Sequence, residues 1–168
     1  MTDRGAILSD CGQYRYRLHR RVTASDRIAL FIMLNPSVAD SMNDDATIRR
    51  CMGFTRSLGC GMLEVVNLFA FRTKSPRILK AAAAPVGPDN DRHIHEAALE
   101  TQLIGGFIIC AWGAHGSHLG RAGAVCRTLL GNGFDLLSLD ETRDGQPRHP
   151  LYLPGACKAL PYRPAGIE

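Results

Sequence analysis

The chain has no run of the roughly 18 consecutive apolar residues that a membrane span needs. Its opening segment, MTDRGAILSDCGQYRYRLHRR, mixes acid and base and has no apolar core like that of a secretory signal. A cytoplasmic location is therefore expected. The six cysteines are Cys11, Cys51, Cys60, Cys110, Cys126 and Cys157. They form no CxxC pair and stand at no zinc-ligand spacing with histidine, so reduced thiols and no metal site are expected. An iron–sulfur cluster would need four of them to converge from scattered positions. Two catalytic strings are also missing. Without GxxxxGK[ST] there is no P-loop for a nucleotide's phosphates, and without GxSxG there is no nucleophile elbow of a serine hydrolase. Lysine is scarce, at Lys74, Lys80 and Lys158 only, and there is one tryptophan.

What is present suits a folded chain. Hydrophobic residues make up 45% and charged residues 21% of 168 residues, enough for one domain with its own core. The formal net charge is +4, carried mostly by arginine. Arginine's planar fork suits phosphates and base edges, although an arginine-rich genome leaves the same bias.

Four apolar runs read as strands. Ala29–Leu34 stops at Asn35-Pro36, Leu63–Val66 at Asn67, and Phe107–Ala111 at Trp112-Gly113. Phe134–Leu139 leads into DETRDGQPRHP. Continuous apolar runs of this length suit strands covered on both faces. The alternation in Tyr14–Leu18 predicts an edge strand.

Helical spacing lies between these runs. It joins Ile48, Cys51, Met52, Thr55 and Leu58, with Asp44 or Asp45 as cap and Gly59 at the end. A second helix from Asp89-Asn90 places Ile94, Ala97, Ala98 and Thr101 on one face, with His93 and His95 on a solvated one. A third from Ser117 carries Leu119, Ala122, Val125, Cys126 and Leu129. The expected fold is an α/β three-layer sandwich, with a mostly parallel four-stranded sheet and an extra N-terminal edge strand. The chain reads as a single domain, 1–168, with its core at about 28–154. Residues 1–27 form the edge-strand region and 155–168 a C-terminal tail. A monomer is the default.

In a parallel sheet, ligands bind beyond the carboxyl ends of the strands. The four strand ends carry Asn35-Pro36-Ser37 followed by Asp40, Asn67 with Phe69 and Arg72, Trp112 with His115, and Arg148-His149. Each has a plainer reading: Asn35 can start a turn, Asn67 can satisfy loop backbone, Trp112 can be core, and His149 can be an exposed loop residue. The functional case rests on their convergence at one rim.

The strings MLNPSVADSMNDDATIRRCMGF, VVNLFAFR, VGPDND, AWGAHG and DGQPRHPLYLP, spanning Ala29 to Leu153, closely resemble a bacterial and phage family of unknown function. In order and placement the strand-end motifs also resemble the uracil-DNA glycosylase superfamily, whose sheet has four parallel strands. Phe31-Ile32-Met33-Leu34-Asn35-Pro36-Ser37 is similar to the G-I-N-P-G string of its mismatch-specific branch, with Met33 and Ser37 where that branch has glycines. That resemblance implies a water-positioning role for Asn35. Asn67 with Arg72, Trp112-Gly113 and His149-Pro150 are similar to its later motifs. Tyr152 or Leu153 falls where a residue wedges into the duplex.

The implied reaction breaks an N-glycosidic bond. An amide cannot take a proton at neutral pH, so Asn35 can only orient water. Asp40, Asp44 or Asp45 could add a carboxylate. His149 would stabilise the departing base, while Asn67 would read its edge. Phe69 or Trp112 would stack on it, and Pro36, Ser37 and His115 complete the expected substrate contacts. Arg49, Arg50, Arg72, Arg121 and Arg148 are the expected phosphate contacts. The expected partner is DNA or a nucleotide, with no cofactor. The alternatives are a non-catalytic module of the same fold that binds nucleic acid or a nucleotide, and an enzyme of free nucleotides.

Overall fold

A computed structural model describes residues 3–37 and 42–166. The strands are β1 (Arg4–Leu8), β2 (Arg15–Arg21), β3 (Ile28–Met33), β4 (Met62–Asn67), β5 (Phe107–Cys110), β6 (Leu136–Ser138) and β7 (Leu160–Pro161). The helices are α1 (Ala46–Ser57), α2 (Pro76–Ala81), α3 (Asn90–Leu103) and α4 (Arg121–Gly131).

The strands form one mixed sheet of seven, in the order β1-β2-β4-β3-β5-β6-β7. β3 runs parallel to β4 and to β5, and β5 runs parallel to β6. Both margins are antiparallel, β1 and β2 on one side and β7 on the other. The sheet is thus larger than the four strands and one edge expected. β2 is not the edge strand but lies between β1 and β4. Within the expected C-terminal tail, Leu160–Pro161 forms β7 and Tyr162 is buried. β1 and β7 are short and largely exposed, so neither leaves the apolar run or clean alternation that marks a strand.

Side chains alternate along the strands and build a core on each face. Leu30, Ile32, Val66 and Ile108 pack with Ile94, Ala97 and Ala98 of α3 and with Val125 and Leu129 of α4. On the other face Ala29, Phe31, Leu63 and Val65 pack with Ile48, Cys51 and Phe54 of α1. Each fully buried aliphatic or aromatic side chain contributes roughly 1.5–3 kcal/mol. Cys51, Cys60, Cys110 and Cys126 are buried thiols among these residues. Among the described residues no helix is long and apolar enough to cross a membrane.

Local signals set the helix boundaries. Asp45 caps α1, its side chain accepting the Ile48 N–H at 2.9 Å. Gly59 follows the helix in the left-handed region. α4 begins at Arg121 rather than at Ser117. The segment before it, Ala114–Gly120, coils in 3₁₀ turns broken at His118 and Leu119, and Leu119 is 69% exposed instead of facing the core. His93 is also not solvated as expected. It is 7% exposed and stacks on Tyr16 with ring centroids 4.8 Å apart.

β4 holds one charged residue that its apolar neighbours conceal. Glu64 is buried and accepts from Arg17 Nε at 2.7 Å, while the same guanidinium reaches Glu100 on α3. Burial pushes the Glu64 carboxyl up despite Arg17.

The helix after β3 packs on one face and the helix after β5 on the other. β3 and β5 are neighbours, so the chain leaves their carboxyl ends in opposite directions and opens a crevice there. Met33 pairs with Asn67 and Ile32 with Cys110, so β3, β4 and β5 end nearly level at its floor.

Candidate functional site

A cavity of about 570 Å³ occupies this crevice, walled by the ends of β3 and β4 and by the segments that follow β5 and β6. The first contribution is Asn35, just past β3. Its Nδ2 donates to the carbonyls of Thr73 at 2.8 Å, Pro36 at 3.1 Å and Phe71 at 3.3 Å. The amide nitrogen thereby anchors the loop after β4, and Oδ1 accepts no hydrogen bond from the described residues.

Asn67 ends β4. It is 1% exposed and lines the cavity, and its Nδ2 has no hydrogen-bond partner among the described residues. Its backbone is firmly held. Asn90, the first residue of α3, donates from Nδ2 to the carbonyls of Asn67 at 2.9 Å and Leu68 at 3.1 Å. Arg121 Nε also donates to the Leu68 carbonyl, at 2.7 Å.

After β5 comes Trp112, whose Nε1 donates to Gln146 Oε1 at 2.9 Å and whose ring stands edge-on to Tyr162 at 5.9 Å. It is both core and cavity wall. Gly113 follows at φ +75°, where a side chain would be strained. Gly116 lies against the indole so closely that a Cβ would fall 2.0 Å from Trp112 Cδ1.

The stretch after β6 brings His149. Its Nδ1 accepts the Leu151 N–H at 3.2 Å, so in the neutral ring the proton sits on Nε2. Burial pushes the His149 pKa down, opposed by the Asp45 carboxylate. His149 is therefore neutral at pH 7, a donor at Nε2. Tyr152, 72% exposed, packs its ring at a tilt against His149 at 5.7 Å. Asp45 lines the same cavity and accepts the Ser37 hydroxyl at 2.6 Å.

The cavity brings together Asn35, Ser37, Asn67, Trp112, His115, Arg148 and His149. Asp45 and Tyr152 line it too, whereas Pro36, Phe69, Asp44 and Leu153 do not. Pro36 is buried beside it, and Phe69 is core, tilted against His118 at 5.5 Å. Asp40 lies outside the described residues. Asp44 faces Arg20 at 2.6 Å and Arg4 at 3.1 Å. Leu153 is buried, whereas Tyr152 is exposed at the cavity wall.

All five expected phosphate arginines have partners within the fold, and of them only Arg148, which pairs with Asp140 at 3.1 Å, lines the cavity. Arg49 donates to the Asp44 carbonyl at 2.5 Å, and Arg50 lies over the Phe54 ring and bonds the Leu153 carbonyl. Arg72 donates to the Gly12 carbonyl at 3.0 Å beside a second, shallower groove. Arg121 is 9% exposed and pairs with Asp91. Sequence reasoning in turn missed Arg15 and Lys74, which line the cavity. Arg15 starts a strand in an alternating pattern that gave no hint of it. Among the described residues the charged members of the wall are thus three cations, Arg15, Lys74 and Arg148, and one carboxylate, Asp45.

The model of a family described as protein of unknown function (DUF1643) matches residues 15–151. The chain belongs to this family. The matched span begins at Arg15 and ends at Leu151, so it contains every cavity residue except Tyr152, while β1 and β7 fall outside it. No curated protein and no solved structure matches the chain.

Proposed function

We propose that the cavity binds a nucleobase and that the protein hydrolyses the N-glycosidic bond of a modified or flipped base in DNA or a nucleotide. The observation that carries this reading is Asn67, a buried amide in the cavity wall whose Nδ2 has no partner among the described residues. A buried donor left unmade costs about 1–3 kcal/mol, and a base carbonyl accepting from it removes that cost. A cavity of about 570 Å³ lies within the usual range for small-molecule sites.

The other groups suit the same chemistry. His149, neutral with Nε2–H, offers a second donor as negative charge builds on the departing base. One such donor is worth about 3 kcal/mol in comparable oxyanion sites. Asn35 Oδ1 can accept from a water. Lys74 and the Asp140-paired Arg148 put cations in the cavity wall for phosphate, and the exposed Tyr152 ring stands where a base step could be held open. The resemblance of the strand-end motifs to the uracil-DNA glycosylase superfamily supports the same reading.

The test is incubation with oligonucleotides that each carry uracil, hypoxanthine or another modified base, scored for abasic sites. Abasic product from one of them is expected. No product from any at stoichiometric protein contradicts the reading. One observation favours a non-catalytic binding module instead: Asn35 uses its amide nitrogen on three loop carbonyls, as a purely structural residue would. Tight binding without turnover would select that alternative.

A further inference from the structure

Among the described residues in the cavity wall there is one carboxylate, Asp45. Its neighbour Asp44 is held by Arg20 and Arg4. The helix-capping role of Asp45 uses Oδ1, on the Ile48 N–H at 2.9 Å, while Oδ2 takes the Ser37 hydroxyl at 2.6 Å. Each carboxylate oxygen can accept more than one hydrogen bond, so both keep capacity toward a ligand. Two further facts set this cap apart from an ordinary one. The wall it shares holds the unpartnered Nδ2 of the buried Asn67, so this space is lined by a donor that needs a ligand. The Asp45 charge also acts on His149, which stands in the same wall.

We propose that Asp45 is a catalytic carboxylate of this site as well as the cap of α1. This rests on the glycosidic-bond reading. In the step, the oxygen of a water bonds to the sugar C1′, the C1′–N bond breaks, and its electron pair leaves with the base. Asp45 takes the proton the water releases, and its charge favours the positive sugar that forms on the way. Asn35 Oδ1 accepts the water's other hydrogen. Asn67 Nδ2 and His149 Nε2 donate to the base as it becomes anionic. The proton on Asp45 then passes through solvent to the base, leaving a sugar hydroxyl, a neutral base and the original carboxylate. Ser37 fixes the carboxylate's orientation through Oδ2.

The test separates the two roles of Asp45. Asparagine and serine cap helices about as well as aspartate, so Asp45→Asn and Asp45→Ser keep the fold and remove the charge. Each variant is compared with the wild type for melting temperature, for affinity toward single-stranded oligonucleotides bearing uracil, hypoxanthine or another modified base, and for abasic-site formation. The expected result is unchanged melting, near-unchanged affinity and turnover lowered at least about 100-fold, the scale of general-base catalysis. Turnover within about twofold of an active wild type in either folded variant overturns the role of Asp45 and leaves the glycosidic-bond reading standing. An inactive wild type overturns both.

Discussion

Asn90 Nδ2 donates to the backbone carbonyl of Asn67 at 2.9 Å, from the first turn of α3 to the last residue of β4. The same nitrogen reaches the Leu68 carbonyl at 3.1 Å. A buried amide thus holds the strand end that presents the cavity's unpartnered donor. Asn90→Ala withdraws two buried hydrogen bonds and should cost about 1–3 kcal/mol, measured by urea denaturation. Affinity for a base-containing ligand should fall as well, because Asn67 loses its support. An unchanged unfolding midpoint would mean that the strand end holds without it.

Acid should destabilise the fold through two histidines. His149 and His93 both have pKa values held below the ordinary 6.5, mainly by burial, and for His93 also by Arg92. The unfolded chain therefore binds protons first as pH falls. The stability linked to these rings is fully present above about 6.5 and is lost as pH drops through their lowered folded values. Melting temperature should be lower at pH 5 than at pH 7, and His93→Gln with His149→Gln should flatten that slope. Around His149 the other ionisable cavity residues are Asp45, Arg15, Lys74, His115, Arg148 and Tyr152. Of these, Asp45 pulls the His149 value back up, so Asp45→Asn should move its imidazole titration lower by NMR.

Gly116 tests the packing behind the cavity. A Cβ there would lie 2.0 Å from Trp112 Cδ1 and 2.3 Å from Nε1. Gly116→Ala must displace the indole, with an expected cost of about 1–3 kcal/mol. Trp112 is the only tryptophan, so its fluorescence reports the displacement directly. A wild-type emission spectrum in the variant would show that the indole does not bear on that glycine.

Arg17 tests the buried charge in β4. Arg17→Ala leaves the Glu64 carboxylate buried without its cation and should cost about 3–5 kcal/mol. Arg17→Met with Glu64→Leu removes both charges and should recover most of that loss, because Glu100 is exposed enough to be solvated. A double variant no more stable than Arg17→Ala would show that the pair contributes more than its desolvation removes.

The parallel centre of the sheet was legible because β3, β4 and β5 are buried on both faces and so read as apolar runs. The capping of α1 was legible because Asp45 does its work within four residues. β1 and β7 were not, since their pairing depends on partners far along the chain. Leu119 fitted a helical period but lies where the backbone turns left-handed between Gly116 and Gly120, and local geometry overrode the pattern. The convergence of Asn35, Asn67, Trp112 and His149 followed from topology, because strands that run parallel end at one rim. The arginines were the least readable. Arg121 and Arg72 bond backbone carbonyls made available by the fold, and no sequence pattern distinguishes such an arginine from one that faces a phosphate.

The most direct measurement concerns the side-chain amide of Asn67. Its Nδ2 protons give a pair of resonances that can be assigned by their loss in Asn67→Asp. Addition of an oligonucleotide bearing a modified base that the protein processes, or of the free base it releases, should shift that pair downfield as a base carbonyl accepts from it. If the protein binds the base while the Asn67 amide resonances stay in place, the cavity does not read a nucleobase through Asn67 and the account fails.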